Sequence, residues 1–411
     1  MKKFHIVIVL IIVIAAISQG LSFAQGNIDF NFIGAGARAR AMGGAFIGGA
    51  DDATAASWNP AGLTFLEKPE VSATYVYSSV YQSIDDESVE DLGLSHGYVN
   101  FISAAFPISI GTNNIVGCIA YQRMIDLFDK QEAYLQDIYN NQYWYDTKQK
   151  GGVDAVSPSV GVQLSPQFSL GLSYNIYLGN SITKWVSWDT NQEVEAPKEH
   201  YSGGNVSLGA LFDLGKFRIG GVFKTPYTLK AKRDEAMNVS GLINFFGYEL
   251  EMKMPGMFGV GVMYEPTPKL RLAADYEMRG FSNFETRLKW TSPDLSDLNT
   301  GQFEKAEWEN VNQFRLGAEY LVSVGNSFVP LRIGLKTEPK PYKDINDDQV
   351  MGAALTMGVG LVAKSFTLAA ALEYSALSLR YQYFDGFSYT ESELTNSQVN
   401  FLLSGIFYFG K

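Results

Sequence analysis

From Pro69 onward the chain alternates. Leu270, Leu272, Ala274, Tyr276 and Met278 take one parity, while Arg271, Ala273, Asp275 and Glu277 take the other. Phe314, Leu316, Ala318 and Tyr320 likewise oppose Arg315, Gly317 and Glu319. Phe366, Leu368, Ala370, Leu372 and Tyr374 oppose Thr367, Ala369, Ala371 and Glu373. A period of two puts each set on its own face of a sheet. One face is apolar and often ends in an aromatic; the other mixes charge with glycine. In a transmembrane barrel the first face meets lipid and the second the lumen. A soluble sandwich alternates in the same way, so the connectors decide between them.

Strands are expected near 69–82, 96–107, 113–124, 153–164, 167–179, 202–213, 216–225, 256–265, 268–279, 311–322, 328–337, 352–363, 366–377 and 397–409. Tight turns at Ser165-Pro166, Asp213-Leu214-Gly215, Glu265-Pro-Thr-Pro268 and Lys364-Ser365 then alternate with long polar loops at 83–95, 125–152, 180–201, 226–255, 280–310, 338–351 and 378–396. Short turns on the periplasmic side and long loops outside are the asymmetry of outer-membrane barrels. The expected fold is therefore all-β: an antiparallel transmembrane barrel of about fourteen strands in the outer membrane of a diderm bacterium. About eight strands fill with side chains and about sixteen leave a water channel, so a barrel between the two leaks unless something occupies it.

One segment fits neither strand nor solvated linker. Gly34-Ala-Gly-Ala-Arg-Ala-Arg-Ala-Met-Gly-Gly-Ala45 runs on to Ser57-Trp-Asn-Pro-Ala-Gly-Leu63, small and apolar, directly before the first strand. Asp51 and Asp52 can cap a helical turn over Ala53 to Ser57, and Asn59 before Pro60 a second. A plug inside the lumen is the economical reading. Ahead of it, Met1 to Ala24 reads as a secretory leader, with Lys2 and Lys3, an apolar stretch from Ile6 to Ile17, and a Ser22-Phe23-Ala24 cleavage site. The division expected is 1–24 leader, 25–66 plug and 67–411 barrel.

Composition then removes alternatives. No apolar run after the leader is long enough for a membrane helix. The single cysteine, Cys118, excludes a disulfide framework. The net charge of −11 becomes more negative when the leader goes, which argues against nucleic acid. Only His5, His96 and His200 are present, too few for a triad or a zinc site. Asp344-Ile-Asn-Asp-Asp348 begins like a calcium loop, but Gln349 stands where glycine is needed. No enzyme activity, cofactor, metal or catalytic residue is expected.

Two residue sets carry candidate chemistry. Arg271, Arg315, Arg332 and Lys336 fall on lumenal parity and could meet a carboxylate through charge-assisted hydrogen bonds. Asp275, Glu277, Glu319 and Glu373 share that face, so an ion-pair network holding barrel or plug is the competing role. In the loop read as helical from Ile125 to Tyr145, Phe128, Tyr134, Leu135, Ile138 and Trp144 offer an external capture surface, or else close the mouth.

With Ala41-Met-Gly-Gly-Ala45, Ala50 through Leu63, Met254 through Glu277, Asn312 through Tyr320 and Leu331 through Leu335 on the page, the chain resembles the FadL/OmpP1/TodX family. The resemblance implies a fourteen-stranded outer-membrane transporter for long-chain fatty acids or other hydrophobic compounds, with an amino-terminal hatch. It makes Asn59, Pro60 and Ala61 the hatch motif, set across from a kink in the third strand that opens the wall; Gly117 is a candidate for that kink. The last strand departs from the usual pattern, adding Gly410 and Lys411 after Phe409. The function expected is passive, hatch-gated transport. The alternative, from relatives that share this layout, is a non-transporting barrel serving protein secretion or assembly. Expected partners are a hydrophobic small molecule, outer-membrane lipid and lipopolysaccharide, and the outer-membrane assembly machinery.

Overall fold

A computed structural model describes residues 34–85, 92–110, 113–136, 142–237, 244–299, 301–384 and 389–410. The alternation becomes a closed ring of fourteen antiparallel strands, as expected. These are β1 (Glu70–Ile84), β2 (Leu92–Ile110), β3 (Asn113–Asp126), β4 (Gln142–Ser165), β5 (Phe168–Ser187), β6 (Glu199–Asp213) and β7 (Phe217–Lys224 with Tyr227–Arg233). Then come β8 (Tyr248–Met254 with Met257–Thr267), β9 (Leu270–Arg279 with Glu285–Trp290), β10 (Val311–Val324), β11 (Ser327–Lys343), β12 (Gln349–Val362), β13 (Phe366–Phe384) and β14 (Tyr389–Tyr408). Sequential strands pair throughout, and β1 closes on β14 from Glu70↔Tyr408 to Ile84↔Leu394. Turns at one end are short; Gly215, at φ 80, takes a left-handed conformation in one that a side chain would strain.

Parity sorts the side chains as the pattern requires. Val262, Leu272, Leu316, Ile333, Leu335 and Leu403 stand exposed on the outside, while Ser103, Ser173, Asn175, Glu277, Glu319 and Asn400 are buried within. Aromatics frame the apolar belt: Phe106, Phe212, Phe217 and Phe407 at the short-turn end, Tyr174, Phe223, Phe258 and Tyr374 toward the loops. An apolar surface of this extent is not sustained in water. Closed rings are the only sheets that satisfy every backbone group in hydrocarbon. The protein is an outer-membrane β-barrel.

Two expectations about the wall change. The stretch read as a helical loop from Ile125 to Tyr145 contains a strand instead, Asp129–Gln136, paired with the outer part of β4. Extending an existing ladder adds one rung per residue, whereas a helix there would have to nucleate anew. In that ladder Tyr134 and Leu135 stand opposite Trp144 and Tyr143, and Ile138 lies outside the described residues. Gly117 does not kink β3: it sits in regular register with Phe106 and Val160, on the outward face. The irregularity in β3 falls between Arg123 and Ile125. Breaks also cross β7, β8 and β9 at one height, at Thr225-Pro226, Pro255-Gly256 and Gly280–Phe284. The two prolines have no amide to give a ladder.

Inside lies the segment from Gly34 to Leu66, with helices α1 (Ala37–Ala41) and α2 (Ala55–Trp58) and a 3-10 turn at Pro60–Phe65. Its small residues meet glycines of the wall. A Cβ on Gly334 would run into the backbone of Met42 and Gly43, and one on Gly209 into Asn59, with Pro60 Cδ at 2.9 Å and Ala61 N at 3.0 Å. These wall glycines are sockets cut to backbone thickness. Gly209→Val should therefore push the segment out of its seat while the barrel still folds. Gly221→Val, where a Cβ meets nothing within 4 Å, is the control. Proteolysis of the folded protein checks this: cleavage between residues 34 and 66 should rise for Gly209→Val only.

Candidate functional site

The plug's hold on the wall starts with Asn59, which is fully buried. Its Oδ1 accepts from Ala61 N at 3.2 Å, capping the 3-10 turn as Pro60 opens it. Its Nδ2 donates to Ile47 O at 3.0 Å and to Ala210 O of β6 at 3.1 Å. One side chain thus ties two parts of the plug to each other and to the wall. Elsewhere Asp275 Oδ2 accepts from the amides of Phe46 and Ile47 at 2.7 and 2.9 Å. Thr356 of β12 bridges Ala41 O and Gly43 N, each at 2.9 Å. Glu70 accepts from Ala53 N at 2.6 Å, and Asn114 donates to Leu66 O at 2.7 Å. Asp52, not Asp51, begins the α2 turn, accepting from Thr54 N at 2.9 Å.

Asp51 is used differently. It pairs with Arg38 and lies 3.3 Å from Arg218 of β7. From there an ionic mesh spreads across the lumen. Arg38 reaches Glu319 at 3.5 Å, Glu319 takes Arg271 at 3.0 Å and Arg332 at 2.7 Å, and Arg271 and Arg218 share Glu265, each at 3.1 Å. On the far side Glu373 receives Arg40 at 2.9 Å and Lys336 at 3.3 Å. Three of the four cations singled out from parity, Arg271, Arg332 and Lys336, are thus committed to carboxylates that hold the plug. The parity reading located them; apart from Glu338, 2.7 Å from Lys336 on the same strand, their partners lie on other strands and no local pattern shows them.

Arg315 stands apart. It is fully buried, donates to Glu277 at 2.9 Å, and sits 5.7 Å from the ring of Trp58. Its Nε and Nη1 have no hydrogen-bond partner among the described residues. Two cations that the sequence reading missed join it. Arg279 Nε donates to the other oxygen of Glu277 at 2.7 Å, and Lys224 Nζ reaches Ser57 O at 3.1 Å. Arg279 continues the inward parity of Arg271, Asp275 and Glu277 and was legible; Lys224 is hidden beside the Pro226 break. Around the carboxylate of Glu277 there are thus three cations, on the loop-facing side of the plug.

Over this floor the lumen turns apolar. Met124, Tyr177, Tyr227, Met257 and Phe281, with Asn205, Lys224 and Arg279, line a cavity of about 30 Å³. Phe281, Phe284 and Val311 continue an apolar cluster upward through Leu229, Met252 and Met254. Phe281 enters the lumen because β9 breaks inward at Gly280. The arrangement can seat an anionic head on the cations with a hydrocarbon tail above it. In this closed state the space is too small for such a molecule without movement of Phe281 or the plug. Of the capture set, Phe128 is half-buried with its ring stacked on His96 at 4.1 Å, so it is not a free surface aromatic.

The charges on the plug set its pH response. Burial pushes the Asp51 carboxyl up, but Arg38, Arg218 and Arg271 outweigh it and hold the group well below the ordinary range. Burial raises Asp52 against the pull of Arg38, so its effect runs the other way. A depressed carboxylate contributes stability above the unfolded value, about 4, that is lost only as pH falls through the folded one. Asp51→Asn leaves Arg38 and Arg218 short of a buried partner, at a cost of roughly 3 kcal/mol. Hydrogen exchange at plug amides should accelerate about a hundredfold at pH 7. The difference from wild type should persist at pH 5 and shrink only in stronger acid.

Comparison with known proteins places this geometry. Among solved structures, a FadL homologue of Pseudomonas aeruginosa matches with a TM-score of 0.61 at 14% identity, over 89% of this chain and 97% of that one. The toluene transporter TodX of Pseudomonas putida matches with a TM-score of 0.63 at 13% identity, over 92% and 98%. The toluene transporter TbuX of Ralstonia pickettii matches with a TM-score of 0.57 at 16% identity, over 93% and 100%. At these identities the likeness is one of fold. No curated protein matches by sequence. A family model described as BamG matches residues 1–376. This fourteen-stranded, internally plugged barrel belongs to the BamG family.

Proposed function

We propose that the chain is a passive outer-membrane transporter for hydrophobic small molecules with an anionic head, long-chain fatty acids first among them. The observation that carries this reading is the floor of the upper lumen: Lys224, Arg279 and Arg315 around the carboxylate of Glu277, under Tyr177, Tyr227, Met257 and Phe281. A carboxylate there gains charge-assisted hydrogen bonds from groups that are already desolvated, and a hydrocarbon chain above it loses only water. The resemblance to hydrophobic-compound channels in fold supports the same direction. Ligand enters from the loops and displaces Phe281. It leaves when the hatch motif Asn59-Pro60-Ala61 lets go of Ile47 and Ala210. Arg271, Arg332 and Lys336 act in this scheme as the hatch's anchors.

A second reading has its own observation. The plug is bonded to the wall at several points, and the cavity lined by Tyr177, Tyr227 and Phe281 above it is about 30 Å³. A barrel sealed this firmly also suits a non-transporting role in protein secretion or assembly, where the outer surface and rim do the work.

Binding of a radiolabelled C18 fatty acid to the detergent-solubilised protein separates the two. Transport predicts saturable binding, weakened at least tenfold in Lys224→Met and abolished for the methyl ester of the same acid. Absence of saturable binding in wild type, with exported proteins copurifying, supports the second reading and ends the first.

A further inference from the structure

Among the described residues, one seam in the barrel wall has no backbone ladder over part of its length. β2 pairs with β1 along nearly its full length, from Ala105 to Leu92. Its other edge pairs with β3 only from Ile110↔Asn113 to Phe101↔Gln122. β3 runs on to Asp126 along β4, and Asp129–Gln136 follows β4 further. Among the described residues no ladder joins Leu92–Asn100 to either of them. The backbone groups that β2 turns toward β3 over this stretch therefore face a gap.

Side chains span the gap instead. His96 Nε2 lies 2.5 Å from Asp126 Oδ2, and the His96 ring stacks on Phe128. Asn100 Nδ2 reaches Arg123 O at 3.4 Å, a long bond. The Oδ1 of Asn100 has no hydrogen-bond partner among the described residues, although the residue is only 6% exposed. That orphan acceptor is a second sign that something polar is missing.

The position and chemistry select the occupant. Val99, two residues past the last rung, and Ile102, one rung before it, are exposed on the outside, so the seam starts at the outer rim of the apolar belt. Beyond them the outward positions of β2 are Ser95, Gly97 and Gly93; the ring of Tyr75 from β1 lies over Gly97, while Gly93 has nothing over it within 4 Å. A hydrocarbon chain would leave the free edge and Asn100 unsatisfied. A backbone would satisfy both, and an open edge of this length is a template for strand addition.

We infer that Leu92–Asn100 is a docking edge for an extended strand donated by another polypeptide on the loop side of the barrel. His96 and Asp126 hold the seam when it is empty, and the incoming strand parts them. The inference does not depend on the transport reading, since the cations of the proposed binding floor, Lys224, Arg279 and Arg315, lie on β7, β9 and β10, and only Met124 of the cavity's lining is on β3.

The test uses hydrogen exchange on the full-length protein in detergent, with an alternating Thr-Val decapeptide as probe. A second peptide of the same sequence carries N-methyl groups on every other amide and cannot extend a ladder. In the free protein, alternate amides of Leu92–Asn100 should exchange at least tenfold faster than those between. The plain peptide, at up to about 1 mM, should slow them at least tenfold; the methylated one should not. His96→Cys with Asp126→Cys, oxidised to a disulfide, should abolish the effect. The peptide comparison on wild type stands whether or not that variant folds. Edge amides already protected in the free protein, equal protection by both peptides, or protection by neither would overturn the inference.

Discussion

A fourteen-strand ring is too wide to be filled by its own side chains, and the rest of the molecule answers to that constraint. The answer is a segment of about thirty residues, Gly34 to Leu66, folded back into the lumen. Its fit rests on backbone meeting backbone at the glycine sockets, which bring Asn59 within reach of Ala210 O and Gly43 within reach of Thr356. Charge then fixes what shape has placed. Arg38 and Arg40 carry the plug's positive charge to Glu319 and Glu373, and Asp51 carries negative charge to Arg218. Breaking one such buried pair strands the remaining charge, so the mesh is harder to loosen than any single bond suggests.

The plug also divides the lumen by chemistry. Below and around it the wall presents the ionic mesh. Above it the three breaks in β7, β8 and β9 turn side chains inward that a straight strand would not bring there. Phe281 is the clearest case, completely buried at the centre of an apolar cluster. Between the two zones lie Lys224, Arg279 and Arg315 with a single glutamate. On the proposed reading, the head of an amphiphile binds at that boundary and its tail lies above it.

Much of this was legible in the sequence, for reasons of range. Alternation is local, so Leu272 out and Asp275 in could be read from neighbours alone. The plug was legible because Gly34 to Leu63 suits no strand and no linker. What the pattern could not hold is pairing between distant strands. It put Arg271 and Arg332 in the lumen but could not see that both would meet Glu319. It read Asp129 to Gln136 as part of a helical loop because the strand exists only through its partner in β4. It looked for a weak point at Gly117, a property of one residue. The gap in the wall instead depends on where the pairing of two strands ends, beyond Phe101 and Gln122.

The central claim is that the plug seals the lumen and that Asn59 is a principal fastening. Single-channel recording in planar bilayers tests it most directly. Wild type should show no steady ionic conductance, and Asn59→Ala should show intermittent openings as the plug leaves its seat. A steady open conductance in the wild-type protein, unchanged by Asn59→Ala, would contradict the account.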